Sequence, residues 1–137
     1  MLNITVTSDP RYIINKPAMV QAVSDVLNSH KVKGKIEVEL MVVGDRKMHE
    51  LNKAYRGIDA TTDILTFVLE DSTTANLQHT PRMGFVASPD RVLRLGSIVI
   101  SYTQAMQDAA EDNKSIDEEL VFLAEHGTKH LLGIHHD

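Results

Sequence analysis

Ile36, Val38, Leu40 and Val42 alternate with Glu37, Glu39 and Met41, and this period of two predicts a strand with one buried face. It stands between two segments of helical period. Pro17, at a first-turn position, opens a helix that gathers Val20, Val23, Val26 and Leu27 on one side. Asp45 is placed to cap a second helix bearing Met48, Leu51 and Tyr55. Further strands are expected over 2–6, 63–69 and 97–101, and a helix over 102–112. Ser115 followed by Glu118 has the form of a capping box, opening a last helix that runs to about Leu132 and is stopped by Gly133. Residues 70–94, with Pro81, Gly84 and Pro89, read as a long binding or mobile loop carrying a hairpin edge. A chain that changes period in this way lays its helices on a sheet. The expected class is α/β (α+β): a mixed, mostly parallel sheet of about four strands with helices packed on it.

The 137 residues suit one domain, and no repeat or Pro/Gly-rich linker divides them. Cysteine is absent, which excludes disulfides, thiolate nucleophiles and Cys-ligated zinc. No apolar run approaches the roughly 20 residues of a membrane span. The segment MLNITVTSDP lacks the basic and apolar regions of a signal peptide, so a soluble, cytoplasmic protein is expected, with no membrane partner. The formal net charge of -5 argues against nucleic acid, because counterion release rewards basic surfaces. Its distribution softens that argument. Seven acidic residues and only Lys114 as a base lie between Asp108 and Glu125, whereas the two signs balance from Leu40 to Ile100. A locally basic face is compatible with that pattern.

The closing run HGTKHLLGIHHD carries the strongest chemical signal. His126 and His130 are four apart, so on a helix they share a face and can turn both imidazoles to one ion. Gly133 can take the left-handed conformation that folds the chain back, bringing His135 or His136 to the same point. Three neutral imidazoles and an open position describe a catalytic zinc site, though nickel and other divalent metals also bind imidazole. A pair of histidines alone would read as surface residues; three at helix-then-glycine spacing do not. Extended zinc-protease motifs share this spacing but place Glu after the first His as general base, where this chain has Gly127. No phosphate-cradling glycine loop, GxSxG elbow or paired catalytic carboxylate is visible, and Tyr12, Tyr55 and Tyr102 are too scattered to suggest a base-stacking platform.

The run resembles HGxLHLxGYDH, the signature of the YbeY-type endoribonucleases, or rRNA-maturation factors. His135 stands at the usual Asp, Lys129 at the usual Leu and Ile134 at the usual Tyr. Residues 55–67, YRGIDATTDILTF, resemble the family's YRGKDxPTDVLSF in register, with Ile58 for Lys and Thr61 for Pro. LGSIVIS at 95–101 resembles LGDIVIS, with Ser97 for Asp. The three segments cover well under half of the chain.

The resemblance implies a zincin-like metal helix, with one zinc held by His126, His130 and His136 and with His135 as an orienting or proton-carrying neighbour. It implies a metal-dependent endoribonuclease cutting single-stranded RNA in rRNA maturation, at the 16S 3′ end, and in ribosome quality control. Partners would be rRNA and the small ribosomal subunit or its assembly proteins, with no DNA. Arg56 would stabilise the phosphorane, a task that suits a planar guanidinium; an ion pair with Asp59 or Asp63 is its ordinary alternative. Asp59, Thr62 and Asp63 read as turn caps, and Glu119 as a solvated residue of an acidic helix. The competing functions are a non-catalytic ribosome-assembly factor with structural zinc, and a metal-dependent hydrolase of another substrate.

Overall fold

A computed structural model describes residues 2–69 and 92–134. In chain order the elements are β1 (Leu2–Ser8), α1 (Lys16–Ser29), β2 (Lys35–Val43), α2 (Asp45–Arg56), β3 (Ile64–Val68), β4 (Val92–Ser101), α3 (Tyr102–Glu111) and α4 (Ile116–Leu131). The sheet order is β1-β2-β4-β3. β1 and β4 flank β2 in parallel, and β3 closes the other edge antiparallel to β4. The mixed, mostly parallel sheet is therefore the expected one.

Alternation along the strands divides the core in two. Ile36, Val38, Leu40 and Val42 of β2, with Ile98 and Ile100 of β4, face α1 and α4 in the larger core. Met41, Val43 and Val99 point the other way, to a smaller cluster with Met48 and Leu51 of α2 and Leu65 of β3. Successive side chains on a strand take opposite faces, so α2 and α4 lie on opposite sides of the sheet.

Local chemistry explains most element ends. Asn15 accepts from the Ala18 amide at 3.1 Å and caps α1, with Pro17 in its first turn. Ser115 and Glu118 form the capping box reciprocally, at 3.1 and 2.8 Å. After α4 the chain reverses at Gly133, whose φ of 81° is left-handed, with the Ile134 amide donating to the Lys129 carbonyl at 2.9 Å.

Two expectations need correction. β4 begins at Val92, so the last three residues of the expected loop are strand, paired with Lys35, Ile36 and Glu37. Residues 70–91 lie outside the described residues, and with them any hairpin there. Asp45 is not a cap: Gly44 holds that position with no side-chain bond, and Asp45 is the first helical residue. Its carboxylate accepts from Thr61 Oγ1, Ser101 Oγ and Gln104 Nε2. It thereby ties α2 to the entry of β3 and to the β4–α3 junction.

Candidate functional site

Gly127 sets the position of α4. A Cβ there would stand 2.7 Å from Ile98 Cγ2 and 3.1 Å from Ile64 Cδ1, so the helix approaches the sheet as only a glycine permits. With 127 against the sheet, its neighbour 126 is turned aside, and the His126 and His130 rings lie 4.4 Å apart between centroids. Both are half-buried. Phe122, one turn earlier, lies nearly parallel to His126 at 6.1 Å. A hollow of about 330 Å³ opens beside them, lined by Phe122, Glu125, His126 and Lys129. The same contacts explain why no general base follows the first histidine: a side chain at 127 would enter the core.

Two imidazoles on one face suit a borderline metal such as zinc, and the chain reversal at Gly133 leads on from them. His135 and His136 lie outside the described residues. Among the described residues, no three His, Asp or Glu side chains gather to hold a metal.

Lys114 braces the start of this face. Its ammonium lies 2.9 Å from Glu119 Oε1 and 4.5 Å from the centre of the Phe122 ring. Glu119 is 3% exposed, which overturns the expectation of a solvated residue. Burial is tolerated because the charge is paired, and the hydrogen bond to Glu119 in turn raises the Lys114 pKa.

Arg56 is carried by the last turn of α2, on the opposite side of the sheet from α4, and is exposed. Among the described residues no contact joins it to the histidine pair, and its guanidinium forms no ion pair. The two acids expected to compete for it are engaged elsewhere. Asp59 Oδ1 lies 2.6 Å from His49 Nε2, and Asp63 shares a hydrogen bond with Asp108. Gly57, at φ 71°, ends α2 immediately after Arg56. The following segment is then pinned back along the helix by Asn52 Nδ2 to the Ala60 carbonyl at 2.8 Å. Burial first, then the Asp63 hydrogen bond, push the Asp108 carboxyl up to about 6.

Two features depart from what the sequence alone suggests. Nothing in the local sequence marks His49, although it lies seven residues before Arg56 and so on the same helical stripe. Tyr12 and Tyr102, ninety residues apart in sequence, stack 4.3 Å apart at 10°, so two of the three tyrosines are not scattered. Tyr12 rims a separate crevice of about 600 Å³ at the carboxyl ends of β1 and β2. The arginines of that crevice are matched by acids, Arg11 with Asp9 at 2.8 Å and Arg46 with Glu50 at 3.8 Å.

Comparison with known proteins agrees with the motifs. The family model described as endoribonuclease YbeY matches residues 5–137. An endoribonuclease YbeY of Roseiflexus castenholzii is 35% identical over 130 residues, covering 93% of this chain and 76% of that relative. One from Moorella thermoacetica is 43% identical over 106 residues, covering 77% and 64%. The solution structure of TM1509 from Thermotoga maritima superimposes with a TM-score of 0.56 at 23% identity, covering 98% of this chain and 75% of that one, and shares the fold. A family match from residue 5 to residue 137, together with endoribonuclease YbeY relatives at 35% and 43% identity, leads to one assignment: the chain belongs to the YbeY endoribonuclease family.

Proposed function

We propose that this protein is a metal-dependent endoribonuclease that cuts single-stranded RNA in the cytoplasm, in maturation of the 16S rRNA 3′ end and in ribosome quality control. The observation that carries the reading is the His126–His130 pair, half-buried and 4.4 Å apart on a helix whose approach to the sheet is fixed by Gly127. Among the described residues no helix is long and apolar enough to cross a membrane.

His126, His130 and His136 would hold one zinc ion, with His135 beside it to orient a ligand or carry a proton. Bound there, zinc supplies Lewis acidity toward a phosphoryl oxygen and lowers the pKa of water to about 7. The remaining work falls to the chain. Arg56, unpaired among the described residues, offers a planar donor fork to a phosphodiester and to the charge that grows on it during cleavage. Lys114 and Glu119 hold the face on which His126 stands. The implied partners are single-stranded rRNA and the small ribosomal subunit or its assembly proteins.

The placement of Arg56 and the imidazole pair on opposite sides of the sheet favours keeping a second reading, a ribosome-assembly factor whose zinc is structural. Arg56→Ala separates the two. The enzyme reading expects cleavage to fall by about 10²–10³-fold with melting temperature and metal content unchanged. Unchanged cleavage would remove Arg56 from the mechanism.

A further inference from the structure

The exposed stripe of α2 carries more than Arg56. His49, Lys53 and Arg56 stand at i, i+4 and i+7, one face of a helix. The stripe rises about 10 Å from His49 to Arg56, and helical side chains lean toward the N-terminus, which tilts the Arg56 and Lys53 cations toward the histidine. The segment that turns back at Gly57 then delivers Asp59 to that histidine, Oδ1 to Nε2, at 2.6 Å.

This contact fixes the chemistry of the ring. The Asp59 carboxyl is held below the usual carboxylate range, first by its hydrogen bond to His49 and then by the charge of Lys53. An ionised carboxylate on Nε2 selects the tautomer with its proton there and leaves the Nδ1 lone pair as an acceptor. Among the described residues Nδ1 has no protein partner, and the side chain is 46% exposed. Among the described residues the charge that bears on Asp59 besides His49 is that of Lys53, and Arg56 follows on the same stripe. α2 packs against β4 and α3, whose side chains bonded to it, Ser101 and Gln104, are uncharged.

We propose that His49, oriented by Asp59, is the proton acceptor of RNA cleavage, with Lys53 and Arg56 on the phosphodiester being cut; the proposal rests on the endoribonuclease reading above. Nδ1 takes the proton of the RNA 2′-hydroxyl as that oxygen bonds to the adjacent phosphorus. The bond from phosphorus to the 5′ oxygen breaks, and that oxygen takes a proton from solvent. One product end carries a 2′,3′-cyclic phosphate and the other a 5′-hydroxyl, and His49 returns its proton to water. No oxidant, reductant or co-reactant is needed.

The test uses the full-length, metal-loaded protein and a single-stranded RNA oligonucleotide, with single-turnover rates, RNA affinity and end-group analysis. His49→Gln keeps a donor for Asp59 but cannot take a proton, so it separates chemistry from support of the turn. The expected result is a rate loss of about 10²–10⁴-fold in both His49→Ala and His49→Gln, at unchanged RNA affinity. The wild type should leave cyclic phosphate ends and fail to cut a substrate with 2′-deoxy at the cleavage position. Wild-type rates in His49→Gln, or normal cleavage of the 2′-deoxy substrate, would overturn the proposal. Arg56→Ala run alongside distinguishes the failures: if it is inactive while the His49 variants are active, only the role of His49 falls, and if it is active, the reading of Arg56 falls as well.

Discussion

Helix α4 lies so close to β4 and β3 that position 127 has no room for a side chain, whereas α2 rests on the small Met48–Leu65–Val99 cluster and leaves a charged stripe in solvent. The first helix is a fixed platform: large core, capping box, a buried Glu119 paired with the half-buried Lys114, and two imidazoles held to one face. The second is held at its ends instead. Asp45 gathers three donors at its start, and the Asn52–Ala60 and His49–Asp59 bonds tie the returning chain to its length. Metal ligands need rigid placement because coordination tolerates little displacement. The groups proposed to receive RNA and move protons need solvent access, and the stripe of α2 is exposed.

The largest expected effect comes from breaking the α4 platform. Gly127→Glu would restore the protease-like residue but drive a carboxylate into Ile98 and Ile64. Overpacking and an unpaired buried charge together should cost about 3–5 kcal/mol in urea unfolding. A stable Gly127→Glu protein would refute the close approach on which the position of the imidazoles depends.

Helix capping sharpens the contrast. Ser115→Ala removes the hydroxyl that accepts from the Glu118 amide, while the Ser115 amide still donates to Glu118 Oε1, and should cost about 1 kcal/mol. The mirror experiment, adding a cap to α2 with Gly44→Ser, should yield no matching gain, because a Cβ at 44 would stand 2.9 Å from the Tyr12 hydroxyl. Thermal melts of the two variants check both statements.

The smallest effect is electrostatic. The Asp108 carboxyl titrates at about 6 in the folded protein, against about 3.9 in an unfolded chain. The folded state therefore binds this proton more tightly, and the resulting stabilisation is complete below a pH of about 4 and disappears as pH rises through about 6. Asp108→Asn, which keeps a donor for Asp63, should flatten the stability profile between pH 5 and pH 7.5, by less than about 1 kcal/mol after solvent screening. An unchanged profile would dissociate Asp108 from Asp63.

The parts of the molecule legible in sequence are those governed by neighbours along the chain. The alternation from Ile36 to Val42, the Ser115–Glu118 box and the His126/His130 spacing are local patterns, and each fell in its expected element. What escaped depends on contacts outside the local pattern, most of them across chain reversals of ten residues or many more. Asp45 looks like a cap because its type suits one, yet Ser101 and Gln104, brought in by β4, claim its oxygens. Glu119 sits in an acidic run and reads as solvated until Lys114 is seen to pair with it. His49 gains significance only when Gly57 turns the chain and returns Asp59 to it. The start of β4 at Val92 is decided by pairing with β2 across more than fifty residues, and its own sequence carries no mark of it.

A metal centre on α4 is tested by elemental analysis of untagged protein, wild type beside His126→Ala, His135→Ala and His136→Ala. The expected result is about one zinc per chain in the wild type, lost with His126 or His136 and kept without His135. Wild-type protein that stays free of zinc after reconstitution, or His126→Ala protein that keeps its zinc, would contradict a metal centre built on α4.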